Sequence, residues 1–172
     1  MKICISGLSA SGKTTVGRRL AKYLGIRHVS MSYKRDAKNN TELMEPLKNP
    51  KRGYARSFDK AVVSMAKGDC VVTTWLSPWM VKNPTLNVRL YADPEERARR
   101  IMKREGTSHA KAVRYIKEKD HLTIAHFKKT YGIDVTDDSK FDMEINTGKI
   151  STEKAVAVIA LAAMLKEGKR FE

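Results

Sequence analysis

Gly7 to Thr14 reads Gly-Leu-Ser-Ala-Ser-Gly-Lys-Thr, which is the spacing G-x-x-x-x-G-K-S/T. This stretch constrains the fold more than any other, because the pattern works only as the link between a buried strand and the start of a helix. Both neighbours are present. Lys2-Ile3-Cys4-Ile5-Ser6 is a short apolar run suited to a strand. From Thr15 to Leu24, Val16, Leu20, Ala21 and Leu24 recur at helical spacing, and Gly25 follows as a stop. Gly7 and Gly12 permit backbone angles closed to other residues. The amides from Ser9 to Thr15 can then turn inward around a phosphate, where the helix N-terminus adds a favourable dipole. Gly7, Leu8, Ser9, Ala10, Ser11, Gly12, Lys13, Thr14 and Thr15 are therefore the expected phosphate-binding set. Within it, Lys13 neutralises the β- and γ-phosphates as a catalytic residue, and the Thr14 hydroxyl holds Mg²⁺.

The rest of the chain alternates strand and helix. Arg27–Ser30, Asp69–Thr74, Leu86–Ala92 and Phe141–Asn146 read as further strands. Arg56–Lys67, Asp93–Glu105, Ser108–Tyr131 and Ser151–Glu167 read as helices, and residues 31–50 as polar and irregular. Asp93-Pro94 is good chemistry for a helix start. Strands separated by helices predict an α/β fold, with a parallel sheet covered by helices on both faces. At 172 residues the chain is expected to be a single domain.

Composition narrows the class. The apolar run Ala155–Leu165 is too short to cross a bilayer, so no membrane partner is expected. Met1-Lys2-Ile3 leads straight into the first strand, with no signal-peptide pattern. Cys4 and Cys70 lie in apolar runs and read as buried free thiols, consistent with a cytoplasmic protein. The formal net charge of +15 points to phosphate-rich ligands. Nucleotide is the main reading. Nucleic acid is the minor one, since no basic stretch is interleaved with aromatic residues.

Two features of the second half carry chemistry. On the helix after Asp93, Arg97, Arg100 and Arg104 share one face at i, i+3 and i+7. Either they gather round a polyphosphate, or they form a solvated face paired with Glu95, Glu96 and Glu105. On the next helix, Asp120 interrupts the apolar stripe of Val113, Ile116, Ile124 and Phe127. A buried acid needs a partner. An arginine of the preceding helix suits it better than the adjacent Lys119, either to orient a catalytic arginine or as a structural ion pair.

Taken together, Ile5 to Thr15, Ala92 to Ile101 with Arg104-Glu105-Gly106, Tyr131-Gly132-Ile133-Asp134-Val135, and Phe141-Asp142 with Ile145-Asn146-Thr147 resemble the archaeal-type cytidylate kinases. These are small P-loop nucleoside monophosphate kinases. The resemblance covers most of the chain. It implies a P-loop NTPase three-layer sandwich with a five-stranded parallel sheet, an acceptor-binding segment at about 31–67 and a short lid at about 104–112. It also implies transfer of a phosphoryl group from ATP to CMP or dCMP. Carried over, Arg100 and Arg104 stand at the lid as catalytic residues. Arg35, Asp59, Lys119 and Asp120 are on the substrate side.

The chain departs from the family at several acceptor and lid positions. Trp75 replaces the arginine of a Gly-Arg-Leu stretch, Ala55 an acid, Lys119 an arginine, Thr123 an acid and His126 a second arginine. Lysine does not reproduce a bidentate arginine, and a histidine is only partly charged at neutral pH. The donor half is expected intact and the acceptor half altered. The alternatives are a P-loop kinase with another acceptor, and a nucleotide-binding, RNA-associated or regulatory protein with weak ATPase activity. Trp75 and Trp79 either pack the core or line an acceptor pocket.

Overall fold

β1 (Lys2–Ser6) runs up the middle of a five-stranded sheet. The computed structural model describes residues 1–30 and 64–168. Within them the strands are β2 (Arg27–Val29), β3 (Cys70–Thr73), β4 (Leu86–Tyr91) and β5 (Met143–Asn146). Their spatial order is β2-β3-β1-β4-β5, and every pairing is parallel. The described helices are α1 (Lys13–Leu24), α2 (Ser77–Met80), α3 (Pro94–Glu105), α4 (His109–Tyr131) and α5 (Thr152–Lys166). This is the three-layer α/β architecture expected.

Residues of one sense along the strands bury one face. Ile3, Ile5, Val71, Leu86, Val88, Leu90 and Ile145 pack against Val16 and Leu20 of α1 and Ala155, Ile159 and Ala163 of α5. The alternate residues Cys4, Val29, Cys70 and Val72 face the other way, with Ala66 and Val81. Cys4 and Cys70 are free and buried, and burial pushes the Cys4 thiol up to about 12. Gly17 seats α1 on the sheet, since a Cβ there would stand 2.1 Å from Thr73 Cγ2.

The order reverses about β1. β2 and β3 lie on one side and β4 and β5 on the other, so the loop leaving β1 sits at the crevice where parallel sheets bind ligands. α3 and α4 form a hairpin packed through Ala98, Ile101, Ala112 and Ile116, with Ala10 of the loop against it. Further along α4, Phe127 joins Leu76 and Val135, with Trp75, Trp79 and Tyr131 around them.

Boundaries differ by a residue or two from the sequence reading. β5 begins at Met143 rather than Phe141 because a 3₁₀ turn, Asp138–Lys140, holds the Phe141 amide on Asp138 O. Asp142 then caps the neighbouring strand by accepting Asn87 N at 2.7 Å. The helix read over Arg56–Lys67 lies almost wholly outside the described residues. Among those residues, no helix is long and apolar enough to cross a membrane.

Candidate active site

The loop from Gly7 to Ser11 is fixed by its carbonyls. Lys13 Nζ folds back and donates to Gly7 O at 2.6 Å and Leu8 O at 2.9 Å. Arg97 Nη1 donates to Ser9 O at 3.2 Å, and Arg100 Nη1 to Ala10 O at 3.1 Å. The Thr147 hydroxyl donates to Ser11 O at 2.9 Å. The carbonyls of Ser9, Ala10 and Ser11 are thus held by donors from α3 and from the end of β5. Ala10 itself is in the left-handed region, with φ 60, a conformation that costs a non-glycine residue free energy. The Arg100 bond secures it.

The glycines have distinct reasons to be there. Gly7 has φ 146, and a Cβ on it would lie 2.0 Å from Leu90 O on β4. Gly12 has φ 94 and room for a Cβ, so its constraint is conformational. Past it, Lys13 and Thr14 open α1, where the first amides have no intrahelical acceptor. Thr14 and Thr15 are exposed. Two amides expected to face the cradle are already engaged: Ser9 N donates to Asp120 Oδ1 at 3.2 Å, and Ser11 N to Leu8 O at 3.3 Å.

The arginine row divides by depth. Arg97 is buried, 8% exposed, and its Nη1 reaches Asp120 Oδ2 at 2.6 Å. It therefore leaves the shared phosphate-facing row and becomes the α3 partner that Asp120 needed. Arg100 is partly buried. Besides Ala10 O, it donates to Thr147 Oγ1 at 2.9 Å, Thr147 O at 2.7 Å and Glu96 Oε1 at 3.0 Å. Arg104 is the most open of the three, with Glu105 at 2.6 Å. The turn between α3 and α4, Gly106 to Ser108, falls within the expected lid.

Cations crowd this end of the sheet. Burial, then repulsion from Lys119, Arg97 and Arg104, lowers Lys13 to about 7 against the pull of Asp120. Lys119 is lowered to about 8, by burial and then by Arg104, with its ammonium on Tyr115 Oη at 3.1 Å. Such a cluster is stabilised by polyphosphate. The exposed Thr14 hydroxyl at the start of α1 fits Mg²⁺, which keeps several waters and takes few protein ligands. No group of acids suited to a metal occurs among the described residues.

The model of the cytidylate kinase-like family matches residues 48–149. The cytidylate kinase of Pyrococcus horikoshii is 34% identical over 166 residues, spanning 93% of this chain and 86% of that protein. The cytidylate kinase of Ignicoccus hospitalis is 34% identical over 166 residues, spanning 91% and 95%. The chain belongs to the cytidylate kinase family. Solved kinases share the fold at low identity. Shikimate kinase from Acinetobacter baumannii in complex with shikimate superposes with a TM-score of 0.61 at 19% identity, covering 98% of this chain and 95% of that one. A gluconokinase from Sinorhizobium meliloti 1021 gives 0.57 at 16% identity, covering 97% and 91%.

Within this cytidylate kinase family member, two of the described departures, Trp75 and His126, meet at Phe127. Trp75 lies against Phe127, ring centroids 6.3 Å apart, and Phe127 against His126 at 5.6 Å. Trp79 meets the edge of Phe141 at 5.6 Å. His126 is not the surface residue that a lysine-rich helix end suggests. It is 6% exposed, and burial lowers its pKa below the usual histidine value. It therefore supplies no cation at neutral pH at the position where the resemblance leads one to expect an arginine. Thr123 is buried on the same helix. Arg35, Ala55 and Asp59 lie outside the described residues.

Thr147 is the site residue to which sequence reasoning gave no role. It was visible only as part of the family stretch after the last strand. Its position at the carboxyl end of a parallel strand, where such sheets place their sites, was the available signal.

Proposed function

We propose that this chain transfers the γ-phosphoryl group of ATP to CMP or dCMP. The observation that carries the reading is the loop itself. Its carbonyls are held by Lys13, Arg97, Arg100 and Thr147, leaving a preorganised cradle at a helix N-terminus. Its relatives over nine-tenths of the chain are cytidylate kinases, which favours this reading over an RNA-associated or regulatory ATPase.

Catalysis here is positioning plus electrostatics. Gly7 to Thr15 hold the donor phosphates. Lys13 brings its ammonium to the phosphate oxygens. Arg104 shares the charge that develops on the transferring group, while Arg100 keeps the cradle in shape from behind. Thr14 would hold Mg²⁺, which would supply charge neutralisation at the donor phosphates. The acceptor's phosphate oxygen is already anionic near neutral pH and needs no strong base. On the acceptor side we assign Arg35, Asp59 and Lys119, with Asp120 acting through Ser9 and Arg97. The buried free thiols suit work in the cytoplasm.

Coupled ATP turnover with each nucleoside monophosphate in turn tests the assignment. Strong stimulation by CMP or dCMP is expected. Slow turnover indifferent to every monophosphate would overturn it.

A further inference from the structure

Trp75 occupies the position where the family has arginine, and it meets the P-loop lysine. The Lys13 ammonium lies 5.2 Å from the centroid of the Trp75 ring. The ring rests on Phe127, tilted at 59°, and the Trp75 carbonyl accepts the Ser6 hydroxyl at 2.7 Å. Both ring and main chain are therefore fixed. An ammonium has three donors. Two reach Gly7 O and Leu8 O, and the negative face of the indole lies beside the charge.

The choice of residue matters because of the company. Lys119, Arg97 and Arg104 are all close enough to repel Lys13. An arginine at position 75 would add another cation. An indole attracts Lys13 without bringing a carboxylate that would repel phosphate. Phosphate oxygens that bond Lys13 Nζ must replace one of its present contacts. The indole, more distant and less directional than the carbonyls, yields first.

We propose that Trp75 is a positioning residue for Lys13, and that its indole face competes with nucleotide phosphate for the same ammonium. The proposal rests on the nucleotide reading above and adds to it a residue that sets how tightly the cradle binds. Weakening the ring's negative face should tighten nucleotide binding. The emission of Trp75 should also report the lysine's departure.

The test uses full-length protein carrying Trp79→Phe, so that Trp75 is the sole tryptophan, titrated with ADP and Mg²⁺ by calorimetry and fluorescence. Replacing Trp75 by tryptophans of increasing fluorination preserves shape while draining the ring face. Affinity should rise stepwise along the series. Trp75→Leu should bind about two- to fivefold more tightly, the lower end of the range for a cation–π contact, with Trp75→Phe between. ADP should shift Trp75 emission, and Lys13→Met should abolish that shift. Affinity that is flat or falling along the fluorinated series overturns the role of Trp75 while leaving nucleotide binding in place. Absence of any ADP binding by the parent protein overturns the nucleotide reading itself, and the proposal with it.

Discussion

Asp120 joins two parts of the molecule with one carboxylate: its Oδ2 receives Arg97 Nη1 at 2.6 Å, and its Oδ1 receives the Ser9 amide at 3.2 Å. The acid ties α4 to α3 and α4 to the phosphate loop. Removing one member of a buried pair leaves an uncompensated charge, which costs about 3–5 kcal/mol. Asp120→Ala should lose stability of that order in guanidinium unfolding. The double variant Arg97→Met, Asp120→Leu should recover much of it. A loss under about 0.5 kcal/mol, the scale of an ordinary surface change, would show that the pair has no such role.

Thr147 should act on the reaction without contacting substrate. Its hydroxyl donates to Ser11 O and accepts from Arg100 Nη1, both at 2.9 Å. Thr147→Val keeps the shape and removes both bonds. The expected result is a fall in kcat/KM for ATP of roughly tenfold, from about 1–2 kcal/mol of lost hydrogen bonding, and recovery in Thr147→Ser. Failure of serine to rescue would return Thr147 to a packing role.

Lys13 makes nucleotide binding pH-dependent. Its pKa is lowered to about 7, first by burial and then by Lys119. A bound phosphate raises it. Affinity is therefore full below about 7 and falls as pH climbs toward the raised value, with a proton taken up on binding across that window. Calorimetry at pH 8 in buffers of different ionisation enthalpy should show this uptake, and Lys13→Ala should abolish both uptake and phosphoryl transfer while keeping the fold. Equal apparent enthalpies in every buffer would refute the assignment.

Arg100 and Arg104 should fail differently. Arg104 is free enough to meet a developing charge, at 46% side-chain exposure, so Arg104→Ala should lower kcat by about 10²-fold with little change in ATP affinity. Arg100 supports Ala10 O and Thr147, so Arg100→Ala should weaken ATP binding as well. Steady-state kinetics on both variants decides. Unchanged turnover in Arg104→Ala would make it a solvated surface arginine.

Acid should destabilise the protein through two histidines. Burial lowers His126, and burial followed by Arg18 lowers His28, below the ordinary value of 6.5. Both are neutral in both states above that pH. As pH falls through it, the unfolded chain takes up protons first, so stability is lost. Unfolding midpoints from pH 7.5 to 5 should fall, and the double variant His28→Gln, His126→Gln should flatten the slope. A slope unchanged by the double variant would place the acid lability elsewhere.

The phosphate loop was legible because its ligand chemistry and its backbone needs lie within one local stretch. Gly7, Gly12, Lys13 and Thr14 are set by geometry over a few residues. The need of Asp120 for a partner was legible for a similar reason. An acid in an apolar stripe demands a cation, and the preceding helix offered several arginines; that the partner is Arg97 only the structure shows. That the same acid also holds the Ser9 amide was not visible, nor that Thr147 holds Ser11 O from 136 residues away. Those contacts arise where strand ends converge, and no local pattern encodes which loops meet there. The burial of His126 was not legible, because Lys128 and Lys129 beside it carry the pattern of a solvated helix end. That helix end packs through Phe127 onto Leu76 and Val135 regardless.

The close approach of Leu90 O to Gly7 separates two kinds of information within one motif. A side chain at position 7 would wedge β4 away from β1, whatever the loop bound. That glycine is demanded by architecture, and a descendant that had lost its reaction would still need it. Lys13 and Thr14 carry no such obligation to the sheet. In a chain of this fold whose activity is in question, the lysine and the threonine are the residues that testify to chemistry, and the first glycine testifies only to the fold.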